Sequence, residues 1–62
     1  MSGGARVLVV DDEPGILRAL RTNLAGHGFN VETAETGEAA LASYRLRQPD
    51  LIILHLGLPG RG

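Results

Sequence analysis

The sequence predicts one α/β domain in which three short strands alternate with two helices, in the order β-α-β-α-β. Two observations support this fold: apolar runs of strand length recur along the chain, and stretches with helical apolar spacing separate them. Because parallel strands need a crossover that is usually a helix, we expect a parallel sheet. With 62 residues the chain has room for one domain, and a domain of this size is marginally stable.

The first strand and the first helix are marked by a change in apolar spacing. Residues 7–10 (VLVV) form a continuous run, which is typical of a strand buried on both faces. Pro14 suits the first turn of a helix, where its missing N–H costs nothing, and acidic residues before it favour a helix N-terminus. A helix is therefore predicted over residues 14–25, with an apolar stripe formed by Leu17, Leu20 and Leu24.

The same alternation continues along the rest of the chain. Residues 29–34 alternate apolar and polar side chains, which indicates a half-exposed strand near a sheet edge. Thr36 opens a second helix that ends before Pro49, because proline disfavours helix at the preceding residue. Residues 51–56 are apolar on both faces, a pattern that by itself predicts a central strand. The second helix has an apolar side formed by Ala39, Ala40, Leu41 and Tyr44, with Leu46 as a further candidate.

Composition excludes several classes of function. The chain has no cysteine, so disulfides are excluded, and its net charge of −1 argues against nucleic acid or an anionic membrane as a partner. The longest apolar runs are too short to span a bilayer, and no targeting signal is recognisable, so a cytoplasmic location is expected. We expect residues 1–5 to be a flexible leader and residues 6–62 to be the domain.

Three polar side chains follow or interrupt the apolar strands. Asp11 and Asp12 end the first strand and His55 lies near the end of the third, so the three are expected to meet where ligands of open α/β sheets bind. The acidic pair suits a cation such as Mg²⁺, or else caps the first helix. His55 is a metal ligand, or else a neutral, hydrogen-bonded histidine. No nucleophile–base pair is recognisable, so no enzyme activity is predicted.

Three segments, in this order, resemble bacterial two-component response-regulator receiver domains. VLVVDDEP at residues 7–14 is similar to the family's opening strand and acidic pair, and AETGEAAL at residues 34–41 is similar to the entry of its second helix. PDLIILHLGLPG at residues 49–60 is similar to its third strand and following loop. This last segment most resembles regulators of the OmpR type, in particular those that control Kdp potassium transport.

The resemblance implies a fold and a role for four positions. The fold is the flavodoxin-like parallel sheet, of which this chain supplies strands in the order 2-1-3. Asp11 and Asp12 match the acidic pair that binds Mg²⁺, and Gly57 matches the residue whose backbone carbonyl completes that site. His55 stands where the family has its phospho-accepting aspartate. The implied partners are a sensor histidine kinase and a full-length regulator.

The sequence departs from the family pattern at two points. His55 cannot form an aspartyl phosphate, and a metal-binding oxygen is lost with the aspartate, so the Mg²⁺ site is expected to be weakened. The chain also ends after its third strand, whereas the family has further strands and helices. That strand is then an exposed apolar edge, which is a template for pairing with another chain. A symmetric homodimer is therefore predicted, with an interface formed by Leu51, Ile52, Ile53, Leu54 and Leu56.

Three functions remain open on the sequence alone. The preferred one is a truncated, degenerate receiver that is not phosphorylated and acts as a dimerisation or protein-interaction module. The second is a module in which Asp11, Asp12 and His55 bind Zn²⁺ or another transition metal, since imidazole suits those ions better than Mg²⁺. The third is a fragment of a working transcriptional response regulator. Without a metal, the two carboxylates are expected to favour a protonated His55.

Overall fold

The sheet has three parallel strands, with the first strand in the middle. The computed structural model describes residues 4–54, and there β1 (Arg6–Val10) lies between β2 (Asn30–Ala34) and β3 (Leu51–Leu54). Both pairs of neighbouring strands are parallel. The predicted strand order 2-1-3 and the predicted alternation of strands and helices are therefore confirmed.

One helix forms each crossover between parallel strands. α1 (Pro14–Gly26) begins at Pro14 as predicted and ends one residue later than expected. The chain leaves α1 through Gly28, whose φ of 93° lies in the left-handed region that favours glycine. α2 (Gly37–Leu46) is capped by Thr36, whose hydroxyl oxygen accepts a hydrogen bond from the backbone N–H of Ala39 at 3.0 Å. Within residues 4–54, neither helix has the length and apolar character needed to cross a membrane.

The core lies between α1 and the sheet. Val7 and Val9 of β1 are fully buried on this side, and Leu17 of α1 is 5% exposed. The apolar stripe predicted for the first helix therefore faces the sheet. Partly buried side chains from α1 and from both outer strands complete this cluster: Leu20, Leu24, Val31 and Ile53.

The opposite side of the sheet, under α2, is packed much less densely. Leu8 of β1 is buried there, but α2 itself buries none of its residues. Leu41 and Tyr44 are 52% and 43% exposed. Between α2 and the strands β1 and β3 lies a cavity of about 310 Å³, called here the α2 groove. Its apolar lining includes Leu8, Val10, Leu41, Tyr44, Ile52 and Leu54.

β3 is an outer strand of the described sheet. Its apolar pattern alone predicted a central position, and this is wrong for residues 4–54, because no strand of that part of the chain pairs with its outer side. Leu51, Ile52 and Leu54 are accordingly 54%, 43% and 65% exposed. Ile53 faces the α1 side of the sheet and packs against the core. The exposed apolar edge expected from the family resemblance is therefore present in the described residues.

Hydrogen bonds tie the chain before β1 to the start of β2. The backbone N–H of Gly4 donates to the carbonyl of Gly28 at 3.1 Å, and the N–H of Asn30 donates to the carbonyl of Ala5 at 2.9 Å. The Asn30 side chain also donates to the Gly4 carbonyl at 3.0 Å. A Cβ atom at Gly4 would lie 2.3 Å from the Gly28 carbonyl oxygen, so this approach requires glycine. The boundary between a leader (1–5) and the domain (6–62) stays a prediction.

Candidate functional site at the carboxyl edge of the sheet

The carboxyl ends of β1 and β3 lie side by side because these strands are parallel neighbours. The register pairs Val10 with Leu54 of β3 and with Ala34 of β2. In the sequence, Asp11 comes directly after Val10, and residue 55 comes directly after Leu54. Ligands of open α/β sheets bind at this edge. The predicted site therefore begins where the last paired residues of β1 and β3 meet.

Asp11 is the buried member of the acidic pair, with 4% of its surface exposed. Its backbone N–H donates to the carbonyl of Ala34 at 3.0 Å, which extends the contact between β1 and β2 beyond Val10. Its carboxylate oxygen Oδ1 accepts a hydrogen bond from the backbone N–H of Glu13 at 2.8 Å. Both the backbone and the side chain of Asp11 are therefore fixed at the end of β1.

Asp12 is exposed, in contrast to its neighbour. A buried carboxylate next to an exposed one places oxygen ligands at an edge that a cation can reach from solvent. Mg²⁺ is commonly bound through one or two carboxylates together with water. The two described acidic residues therefore fit the cation that the family resemblance implies, and they are the side chains that would hold it.

The alternative interpretation, in which the acidic pair directly caps α1, differs from the structure. The N-cap residue of α1 is Glu13, and its side chain makes no capping hydrogen bond. Asp11 binds the Glu13 amide instead, one residue before the helix begins. This turn was not predicted, although its signal is present in the sequence: Asp11 lies two residues before Glu13, and aspartate side chains often bind a backbone amide two residues on.

Several predicted site residues lie outside the described residues. These are His55, the possible phospho-acceptor position or metal ligand, Gly57, whose carbonyl was expected to complete the Mg²⁺ site, and Leu56 of the predicted dimer interface. Their roles stay predictions. Within residues 4–54, no group of three or more histidine, aspartate or glutamate side chains is placed to hold a metal ion.

Polar side chains elsewhere in the described chain hold the fold together. The Asp50 carboxylate accepts a hydrogen bond from the backbone N–H of Arg6 at 2.8 Å, where β3 begins beside β1. Arg47, after α2, forms an exposed ion pair with Glu32 of β2. His27 is exposed, and its Nδ1 is 2.9 Å from the Asn23 carbonyl oxygen. These contacts join neighbouring segments of the fold. We therefore assign these side chains a structural role and do not include them in the candidate site at the carboxyl edge.

One family model and several known proteins match most of the chain. The family model described as "Response regulator receiver domain" matches residues 7–62. The transcriptional regulatory protein KdpE of Mycobacterium tuberculosis is 58% identical over 53 residues, and KdpE of Escherichia coli, a KDP operon transcriptional regulatory protein, is 55% identical over 53 residues. Each alignment covers 86% of this chain and 24% of the relative.

A more distant relative shows the same partial coverage. PhoP of Bacillus subtilis, an alkaline phosphatase synthesis transcriptional regulatory protein, is 46% identical over 54 residues, which are 87% of this chain and 22% of that protein. The chain thus spans about a quarter of the length of the curated relatives that it matches. The predicted resemblance to OmpR-type regulators of the Kdp branch is confirmed.

Proposed function

Since the chain belongs to the response-regulator receiver domain family, we propose that His55 occupies the family's phospho-acceptor position. On this proposal the chain forms no aspartyl phosphate and acts by associating with another protein. The observation that carries the proposal is the register of β1 with β3. Val10 pairs with Leu54, so Asp11 and residue 55 each come directly after one member of this pair. Receiver domains of two-component systems generally bind Mg²⁺ at their phosphorylation site, and Asp11 and Asp12 supply suitable oxygen ligands.

Histidine changes the chemistry available at this position. An aspartate carboxylate attacks the phosphorus of a phosphoryl donor and displaces the donor's leaving group (acetate from acetyl phosphate), which gives an acyl phosphate. The carboxylate also offers an oxygen ligand to the cation. The His55 imidazole has no carboxylate oxygen, and its ring nitrogens suit transition metals better than Mg²⁺. We therefore expect neither an acyl phosphate at residue 55 nor the Mg²⁺ affinity of a complete acidic site.

Mass spectrometry of the intact chain tests the first expectation. The parent chain and a His55→Asp variant are incubated with Mg²⁺ and acetyl phosphate, a small-molecule phosphoryl donor. The parent should keep its mass, whereas His55→Asp should gain one phosphoryl group that hydroxylamine removes, since hydroxylamine cleaves acyl phosphates. Adding Asp11→Asn to the His55→Asp variant should abolish the gain.

Two results would contradict this part of the proposal. A parent chain that gains a phosphoryl group is phosphorylatable after all, whether the group is a hydroxylamine-sensitive acyl phosphate or an acid-labile phosphoramidate on His55. A folded His55→Asp variant that stays unmodified argues that residue 55 is not the acceptor position. Circular dichroism of both proteins establishes that they are folded.

The proposed association uses the outer edge of β3 and a second copy of the chain. Leu51, Ile52 and Leu54 are large, uncharged and exposed, and two of them also line the α2 groove. The net charge of −1 leaves little electrostatic repulsion between two copies. A two-fold axis pairs the same edge with itself, so one self-complementary surface is sufficient.

Light scattering on two matched variants tests the association. Leu54→Glu places a charge on the β3 edge, and Leu46→Glu makes the same change on α2, at a leucine that is 78% exposed. The parent and Leu46→Glu should be dimers, and Leu54→Glu should be a folded monomer. A monomeric parent, or equal behaviour of the two variants, contradicts an interface on β3.

A metal-binding function is the second candidate, and the same register favours it. Zn²⁺ would be held by Asp11, Asp12 and His55, because a mixed nitrogen and oxygen donor set suits transition metals. On this proposal Zn²⁺ raises the melting temperature more than Mg²⁺ does, and His55→Ala removes the difference. Equal responses of the parent to both ions count against it.

The same segment within a longer regulator gives the third candidate. In that regulator the outer side of β3 would be paired with a strand of the same polypeptide. A 62-residue chain that is monomeric and aggregates through its exposed edge would favour this third candidate. A sensor histidine kinase and a full-length regulator are the proposed partners, and the proposed location is cytoplasmic, as is typical of response regulators.

A further inference from the structure

The start of α1 is fixed by groups that precede the helix. Its N-cap residue, Glu13, makes no side-chain capping hydrogen bond, and Pro14 has no N–H to donate. The backbone N–H groups of Ile16 and Leu17 both donate to the Glu13 carbonyl, each at 3.1 Å. The first turn of α1 is therefore built on the backbone of Glu13, and the group that positions Glu13 also positions the helix.

Asp11 is that group. Its Oδ1 accepts a hydrogen bond from the Glu13 N–H at 2.8 Å, and its own backbone N–H donates to the Ala34 carbonyl at 3.0 Å. Because Asp11 is 4% exposed, water competes little for either bond. Asp12 thus lies on a turn that is fixed on one side to the sheet and on the other to α1.

We propose that Asp11 is the positioning residue of the acidic pair. By binding the Glu13 amide, it determines where the Asp12 carboxylate lies, and the resulting turn is coupled to cation binding at the carboxyl edge. The coupling rests on the cation site of the proposed function, whereas the turn does not. Coupling between two equilibria is reciprocal, so a cation stabilises this turn to the same extent that the turn strengthens cation binding.

Three substitutions separate the acceptor role of Asp11 from its charge. Asp11→Asn keeps a side-chain oxygen that can accept from the Glu13 amide but removes the charge. Asp11→Ala removes both the acceptor and the charge. Asp12→Asn is the matched control, because it removes one charge from the exposed neighbour and leaves the Glu13 hydrogen bond in place.

Amide hydrogen exchange without divalent ions tests the turn. We expect Asp11→Ala to speed exchange of the Glu13 amide about fivefold, which corresponds to the loss of one ordinary hydrogen bond. Asp11→Asn and Asp12→Asn should stay close to the parent. The control is the Ala39 amide, which donates to the Thr36 hydroxyl oxygen at 3.0 Å in a similar local hydrogen bond far along the chain. The Ala39 amide should exchange at the same rate in every variant. Equal acceleration by Asp11→Asn and Asp11→Ala overturns the positioning role.

Titration with Mg²⁺ alone, and then with Zn²⁺ alone, tests the coupling. In the parent, the ion should slow exchange of the Glu13 amide and leave that of Ala39 unchanged, a readout that holds even where Asp11→Ala fails to fold. Asp11→Asn and Asp12→Asn should each weaken ion binding, and Asp11→Ala should weaken it about fivefold further than Asp11→Asn.

The outcomes distinguish this inference from the function on which part of it rests. A parent that binds neither ion but shows the expected exchange pattern refutes the cation site and its coupling, and supports the positioning role of Asp11 alone. A parent that binds an ion without protecting the Glu13 amide refutes the coupling and leaves the cation site supported.

Discussion

The two sides of the sheet differ in how far they are packed. On the α1 side, Val7, Val9 and Leu17 are buried and four further apolar side chains pack against them. On the α2 side, Leu8 is buried, but α2 buries none of its own residues and an apolar groove of about 310 Å³ stays open. Both helices pack against the same two strands, β1 and β2, so the difference lies in how far each helix covers its side of the sheet.

This difference in packing bears on two properties of the domain, its stability and its association with other proteins. Stability comes from apolar surface removed from water, so most of it is expected from the α1 side. Exposed apolar surface instead marks places where another protein surface binds. The proposed association uses the β3 edge beside the α2 groove, so changes at that edge should alter assembly more than folding.

The largest expected effect is on the α1 side. Leu17→Ala removes a side chain that is 5% exposed, and a buried leucine truncated in this way costs about 2–5 kcal/mol. Because the whole stability of a chain this short is about 3–9 kcal/mol, we expect most of the cooperative unfolding transition to be lost. Urea denaturation followed by circular dichroism measures this.

Leu41→Ala is the matched change on the α2 side, at a leucine that is 52% exposed. It should lower the free energy of unfolding by clearly less than Leu17→Ala does. If the two variants lost equal stability, the α2 side would be as important for folding as the α1 side, and the comparison between the two sides would be wrong.

The fold was largely predictable because its signals are local. Side-chain spacing predicts both the apolar stripe of α1, formed by Leu17, Leu20 and Leu24, and the buried strand β1. Thr36 is a typical N-cap residue and therefore predicts the start of α2. The edge position of β3 was not predictable from its own residues, since a fully apolar strand looks the same in the centre and at an exposed edge. Whether such a strand is central or at an edge depends on whether another strand pairs with its outer side.

The candidate site was predictable in its position but not in its hydrogen bonds. Asp11 and Asp12 lie at the carboxyl edge as expected, because any residue that follows a strand of a parallel sheet must lie there. Their unequal burial depends on how the chain turns into α1. In that turn the Glu13 amide donates to Asp11. The spacing of the two residues permits this bond, but the sequence alone does not decide between it and direct capping of α1 by the acidic pair.

A smaller effect on stability is expected at the N-termini of the two helices. Thr36→Ala removes the hydroxyl that accepts from the Ala39 amide, and the loss of such a cap costs about 1 kcal/mol. Glu13→Ala, at the N-cap of α1, should cost much less, because the Glu13 side chain makes no capping bond. Thermal unfolding of both variants measures the difference. Equal losses would mean that the start of α1 depends on the Glu13 side chain as well as on Asp11.

The smallest expected effect concerns the ion pair that joins α2 to β2. Arg47 and Glu32 have side chains that are 58% and 38% exposed, so water and salt screen their attraction. A double-mutant cycle with Arg47→Met and Glu32→Gln should give a coupling of less than about 1 kcal/mol, which becomes smaller still in high salt. A larger coupling would mean that α2 is held to the sheet chiefly by this pair. The α2 groove would then owe its shape to a charged contact at one end of the helix, and breaking the pair would change the association of two copies as well as stability.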